Sequence, residues 1–462
     1  MRYKTYCFGD LVEKWIDNRG KTPPLSENGI PLLEVKHLPE SNLYPKIVGT
    51  KFVDKETYDS WFRAYLEPND ILFSTVGTTA RVVMTPPTET VAIAQNILGI
   101  RFKKDLVDPW FMFYYMRGKQ FQHDIEARLV TTVQASIKRA DMVGIPIAVP
   151  QLDAQKELVH RVISLDHKIQ LNQDINQTLK QMAQALFKSW FIDFEPVKAK
   201  ISVLEAGGSQ EEATLAAMTA ISGKDAGSLA VFEQVYPEKY DELKSTAELF
   251  PSAMQDIESV KIPESWNLAP LSSIASFASG KIDVSELTKD TYISTENMLV
   301  NKMGIECATS LPSASTTPSF NPGHILISNI RPYFKKIWFA RFSGGRSADV
   351  LAFEHKKHIT AEYLYNVLYQ DSFFDFMMRT SKGVKMPRGD KKAIMEWSCI
   401  VPTVELVSVF SNKVKEFYSY IESHNKENTQ LSQLRDTLLP KLLSGEITLP
   451  DAEEIAKEAD YV

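Results

Sequence analysis

Residues 153–200 read DAQKELVHRVISLDHKIQLNQDINQTLKQMAQALFKSWFIDFEPVKAK, with no Pro or Gly from Asp153 to Phe191. Leu158, Leu165, Asn172, Leu179 and Leu186 recur at a spacing of seven. Val162, Ile169, Asn176, Ala183 and Trp190 form a second row, offset by four. The two rows are the d and a positions of a heptad, a stripe that is buried only against a partner helix. Asp153 serves as N-cap, and Pro150 lies upstream of it, where it cannot break the helix. A helix over this stretch would be roughly 58 Å long at about 1.5 Å per residue.

The chain supplies the partner. Adding 252 to each position gives Phe410, Phe417, His424, Leu431 and Leu438 in one row, and Val414, Ile421, Asn428, Arg435 and Leu442 in the other. The polar break is central in both helices, at Asn172/Asn176 and at His424/Asn428. Antiparallel pairing would bring these centres together, and a polar layer in an apolar seam fixes register. Two ordinary amphipathic helices of one core remain the plainer alternative.

The duplication extends outward from the helices. Residues 1–150 predict a mixed α/β domain with strands at Ile30–Val35, Asp70–Val76 and Ile93–Phe102. An aromatic helix follows at Pro109–Phe121, and Val143–Val149 closes the domain. Residues 263–402 repeat the plan. Asn321-Pro322-Gly323 stands for the Pro68-Asn69-Asp70 turn, and His324–Ile330 for the strand behind it. Ala361–Phe376 stands for the aromatic helix and Ser398–Val401 for the closing strand. Residues 151–195 and 403–446 are the two helices, 196–262 is an acidic linker or insertion without chemistry, and 447–462 is a tail.

Composition narrows the function. There are 462 residues with a net charge of −6, 52 Lys+Arg against 58 Asp+Glu. The acidic excess lies outside the repeated domains. Residues 1–150 hold 19 cations and 17 acids, and 263–402 hold 16 and 13. The intervening 201–262 hold 4 and 11. That distribution permits a nucleic-acid partner without requiring one. The three cysteines are scattered, without metal-ligand spacing, and suit a reducing compartment. No apolar run is long enough for a membrane span, and MRYKTYCFGD has no signal core, so a cytoplasmic location is expected.

Catalytic signatures are missing. Ser222-Gly223-Lys224 and Ser279-Gly280-Lys281 lack the rest of a phosphate loop. No adenine-methylation motif or HExxH is present. Glu354-His355 with His358 reads as solvated surface, and the carboxylates after Pro450 have no strand to position them. The chain is expected to catalyse nothing by itself and to hold no metal. What remains is basic and hydroxyl-bearing. In the second half the candidates for DNA contact are Lys382, Lys385, Arg388 and Lys391 within Arg379–Lys392, with Arg331, Tyr333, Lys335 and Lys336 after a strand end. In the first half they are Gln134, Lys138 and Arg139, with Thr78 and Arg81 in TVGTTAR, and Arg19 and Lys21 in a turn. Arg offers bidentate contact to phosphate or a guanine edge, and glycines admit close backbone approach. For each, a solvated loop is the plainer reading.

LFKSWFIDFEPVKAK at 186–200, ELFPSAMQD at 248–256 leading to IPESW at 262–266, ISNIRPYFKKIWFA at 327–340 and LRDTLLPKLLSGEI at 434–447 carry a wider likeness. DNRGKTPP at 17–24 and AIAQNILGIRF at 92–102 add to it. With these, the chain resembles the DNA specificity subunits of type I restriction–modification systems. The resemblance implies an α+β (mixed α/β) fold. Two similar globular target recognition domains would be separated by two long helices that form an antiparallel coiled coil, a pseudo-twofold duplication. Each domain would read half of a bipartite, asymmetric site in double-stranded DNA. Two modification (methyltransferase) subunits would dock on the helices, joined by restriction (translocase/endonuclease) subunits. S-adenosylmethionine, ATP and Mg would belong to those partners, leaving this chain without a cofactor. A non-catalytic helical scaffold that binds protein partners is the alternative.

Overall fold

The computed structural model describes residues 3–18, 20–40, 42–131, 135–444 and 446; Arg19, Gln134 and the 447–462 tail lie outside them. Two compact units result, one of residues 1–174 with 424–462 and the other of residues 175–423. The long helices Leu152–Phe191 and Val404–Ser444 each contribute to both.

In the first unit, Tyr3–Cys7 pairs antiparallel with Pro146–Pro150 and brings the domain's two ends together just before the long helix. The central sheet is antiparallel, in the order Val12–Ile16, Ile97–Phe102, Ile71–Ser74, Val82–Met84. A smaller sheet pairs Ile30–Leu33 antiparallel with Lys51–Val53 and parallel with Ala92–Ile93. All residues of Ile97–Phe102 are buried, as an apolar strand covered on both faces must be. The turn before Ile71 is held by Asp70, which accepts from Arg101 Nε at 2.9 Å and Nη2 at 2.8 Å.

The second unit repeats this topology. Asn267–Pro270 pairs with Ser398–Val401. The central sheet runs Ala275–Phe277, Val350–His355, Ile325–Ser328, Ile337–Phe339. The parallel pair recurs as Tyr292–Ile293 with Gly344–Arg346. Gly344 has a local reason: a Cβ there would lie 2.0 Å from the Thr291 carbonyl oxygen.

The aromatic helix expected over Pro109–Phe121 is two helices, Pro109–Arg117 and Lys119–Glu126, broken where Gly118 takes an extended backbone (φ −68, ψ 150). The expected Ala361–Phe376 helix breaks in the same place, at Gln370 (φ −65, ψ 142), into Ala361–Leu368 and Asp371–Arg379. The break lets the second piece turn its own apolar face, Phe121 and Ile125 or Phe373 and Met377, into the core. The acidic 196–262 segment is a folded insertion. It folds as the helices Glu195–Glu205, Gln210–Ser222, Ala226–Val235 and Pro237–Glu248, followed by the hairpin Met254–Ile257 with Val260–Pro263. Ala217, Met218, Leu229, Leu243 and Ala247 give the helices a small core of their own. Lys200 is almost wholly buried, its Nζ donating to the Phe250 carbonyl oxygen at 2.6 Å.

The helices pair antiparallel within each unit. In the first, Leu158 and Val162 join Leu434, Leu438 and Leu442 in one core. In the second, Ala183 and Trp190 join Phe410 and Val414. The expected central polar layer is present. Asn172, fully buried, donates from Nδ2 to Asn428 Oδ1 at 2.9 Å and to Glu427 Oε2 at 2.7 Å. Leu165, Leu179, Leu186, Phe417 and His424 are only half-buried, whereas Leu431 is buried. The stripe is wider than a strict seam because each domain also seats on it. Phe187 and Phe191 lie 5.6 and 5.1 Å from the Tyr363 ring.

A buried polar cluster ties the first domain to both helices. Tyr114 Oη donates to Asp166 Oδ2 at 2.6 Å, and Arg435 Nη1 donates to Asp166 Oδ1 at 2.6 Å. Burial first, then the Asp166 charge, drives the Tyr114 phenol far above its ordinary value. Burial works against the Arg435 cation, but hydrogen bonds to Asp436 and Asp166 outweigh it and hold the guanidinium charged. At the repeat-related positions of the second unit, a neutral pair does the same work, Asn366 Nδ2 donating to Tyr418 Oη at 2.8 Å.

Candidate nucleic-acid interface

The two candidate stretches of each unit, distant in sequence, meet in space. In the second unit the strand Ile325–Ser328 runs into Asn329–Lys336, and this loop is stitched to Lys382–Gly389. The Arg331 amide donates to the Pro387 carbonyl oxygen at 2.8 Å, and Asn329 Nδ2 to the Gly389 carbonyl oxygen at 3.2 Å. Lys382 and Arg388 close a small hairpin through reciprocal backbone bonds of 2.9 Å. Gly383 turns it at φ +98, a conformation that suits glycine.

The first unit does likewise. Thr75–Arg81 follows Ile71–Ser74, and the Ile137 amide donates to the Thr75 carbonyl oxygen at 2.9 Å. The Gly77 amide donates to the Ala135 carbonyl oxygen at 3.0 Å. The reason is common to both units. The loops leave the same end of equivalent sheet strands, and the return strand from the aromatic helices passes beside them.

Side chains at these junctions differ in freedom. In the second unit Tyr333, Lys382, Lys385, Arg388 and Lys391 are exposed. Arg331 is half-buried, with φ +49. Lys336 is committed to the fold, its Nζ donating to the Thr295 carbonyl oxygen at 2.6 Å. Burial pushes its ammonium below the ordinary value. Lys335 and Lys302 converge on one oxygen, Asp371 Oδ1, at 2.8 and 2.9 Å. Hydrogen bonds from Lys335 and then Lys302 hold the Asp371 carboxyl below the usual range. Arg388 pairs with Asp349 at 3.1 Å, and Lys382 with Asp390 at 2.6 Å.

In the first unit Lys21, Thr78, Lys138 and Arg139 are exposed. The Arg139 guanidinium stands 5.4 Å from the Trp15 ring centre. Arg81 is half-buried and donates from Nη1 to the Leu38 carbonyl oxygen at 2.9 Å, bracing a neighbouring turn. Sequence reasoning passed over Lys302, Asp371 and Lys119. The first had a signal, a cation in an Asn301-Lys302 turn where both residues take positive φ. Among the described residues no cluster of His, Cys, Asp or Glu is placed to hold a metal, and no helix is long and apolar enough to cross a membrane.

Residues 2–181, the first repeated domain with most of the first long helix, match the family model of the type I restriction modification DNA specificity domain. Over 412 residues the chain is 28% identical to the HindI specificity subunit of Haemophilus influenzae, covering 83% of this chain and 87% of that one. The chain is similar to the specificity subunits of type I restriction–modification systems. A further relative, the MjaIX specificity subunit of Methanocaldococcus jannaschii, is 21% identical over 395 residues, 79% of this chain and 76% of its own. The crystal structure of a type I restriction–modification S subunit from M. genitalium aligns over 96% of both chains, with 14% identity and a TM-score of 0.46. The family model accounts for one domain and most of one long helix; the duplicated topology extends that domain plan to residues 267–401.

Proposed function

We propose that this chain is the non-catalytic DNA-specificity subunit of a type I restriction–modification complex. Each unit reads one part of a split, asymmetric site in double-stranded DNA. The first does so with the junction of Thr75–Arg81 and Ala135–Arg139, the second with the junction of Arg331–Lys336 and Lys382–Lys391. The observation that carries this is the recurrence of the same two-loop junction, at the same sheet end, in two domains whose loop residues have diverged. A repeated frame with different exposed side chains suits two different half-sites. The paired helices act as spacer and as docking surface for two modification subunits, with restriction subunits joining them. S-adenosylmethionine, ATP and Mg work in those partners. A complex acting on chromosomal DNA places the chain in the cytoplasm.

The test is selection from a random duplex pool, with and without the modification subunits, followed by sequencing. Two short conserved blocks at fixed separation are expected. A pool that stays unenriched even with the modification subunits present would instead leave the chain as a protein-binding scaffold. On the selected duplex, Lys385→Ala combined with Arg388→Ala is expected to weaken binding by roughly 10- to 100-fold, the loss of one bidentate contact and one phosphate contact. Fluorescence anisotropy would read this. Relaxed preference confined to one block would mark it as the second unit's half-site.

A further inference from the structure

Four cations at the second unit's junction, Lys302, Lys335, Lys382 and Arg388, are held by carboxylates, and the first unit has none at the matching positions. Asp349 immediately precedes the strand Val350–His355; the residue preceding the equivalent strand Ile97–Phe102 is Asn96. Asp371 opens the helix Asp371–Arg379; Lys119 opens the equivalent helix Lys119–Glu126. Asp390 is the N-cap of Lys391–Met395; Lys138 is the N-cap of Arg139–Val143. Each of the three aspartates takes a cation of the junction: Arg388, the Lys335–Lys302 pair, and Lys382. Lys119, Lys138 and Arg139 are exposed, and among the described residues none has an ion-pair partner.

We propose that Asp349, Asp371 and Asp390 screen the second unit's cations from arbitrary DNA, so that this unit closes on a duplex only where base contacts outweigh the displaced ion pairs, while the first unit supplies an unscreened, sequence-independent grip. The proposal rests on the DNA-reading function given above and adds how the two junctions divide the work. Its chemistry is exchange of one oxyanion for another. Two ammonium groups directed at a single carboxylate oxygen present the arrangement that a phosphate oxygen would also fill. Each pair has one well-exposed partner, Asp371 at 63%, Lys382 at 81% and Arg388 at 54%, and so stays in contact with solvent. Such pairs contribute little to stability, so a phosphate can displace them. Their effect on non-specific binding is larger, because every cation that neutralises a phosphate releases counterions.

The experiment measures affinity and its salt dependence for the chain in complex with its modification subunits, on a duplex lacking the selected site and on the selected site. Asp371→Asn and Asp390→Asn keep the side-chain shape, and at position 390, the N-cap of Lys391–Met395, Asn still caps the helix. Each is expected to raise affinity for the non-cognate duplex about three- to tenfold at about 0.1 M salt. The slope of log K against log salt should steepen by up to about 0.9 for each lysine released. The ratio of specific to non-specific binding falls accordingly. Lys335→Ala added to Asp371→Asn should cancel most of the gain, and Lys119→Asp should lower non-cognate binding through the first unit. If the Asn variants leave non-cognate affinity and slope unchanged, or lower them, while Lys335→Ala still weakens cognate binding, the screening proposal is overturned and the interface stands. If Lys335→Ala changes neither duplex's affinity, that part of the interface fails, and the proposal with it.

Discussion

Asp166→Ala is expected to destabilise the first unit by about 3–5 kcal/mol, the usual cost of stranding a partner of a buried ion pair. Asp166 is 4% exposed and accepts from Tyr114 and Arg435 through different oxygens. Its loss leaves a buried phenol without an acceptor, and a guanidinium that keeps only Asp436, on the solvent side. The remaining Asp436 pair places the effect toward the lower figure. Asp166→Asn keeps one hydrogen bond and should cost less. Because the chain has two units, a single melting curve does not resolve them. Hydrogen exchange at amides of Pro109–Glu126 and of residues 424–443 reads the first unit directly. Unchanged protection there would show that the cluster does not hold the domain to its helices. A double-mutant cycle of Tyr114→Phe with Asp166→Asn would give the coupling between them.

Trp190→Ala should cost the second unit about 3–5 kcal/mol through lost burial and the cavity left behind. Trp190 is fully buried, and its ring centre lies 5.1 Å from that of Phe250, 6.0 Å from Phe191 and 6.1 Å from Phe410. It therefore joins the end of one long helix, the start of the other and the exit of the helical insertion. Loss of exchange protection should appear in Glu195–Glu205 and Pro237–Glu248 as well as in the helix itself. Leu186→Ala, at a half-buried position of the same helix, is the control and should cost much less. Equal effects from the two would mean that the heptad row, not the aromatic hub, holds this end together.

The helices were legible because heptad periodicity survives divergence. The Asn172–Asn428 contact follows from that spacing once the pairing is antiparallel. The repeated sheet was legible through its turns and apolar strands. The helix breaks at Gly118 and Gln370 were not, since apolar periodicity continues across both and Gln370 is no breaker. Nor was the width of the seam, because Phe187 and Phe191 are buried against Tyr363, which lies far along the chain. Candidate interface residues could be named individually, but their meeting depends on sheet register. That register brings Arg331 to Pro387 and Thr75 to Ile137. The Asp371 ion pairs span 36 and 69 residues, beyond the reach of any local pattern.

The strand pair that closes each domain has an evolutionary consequence. Tyr3 faces Pro150 and Cys7 faces Pro146, so the chain enters and leaves the first domain at one place, directly before the long helix. Asn267 facing Val401 does the same for the second. A module whose ends meet can be exchanged as a cassette, because the frame sees only the short ladder and the helix seat. Inheritance of a foreign cassette would change what is read in one recombination step, without a single substitution in the coiled coil.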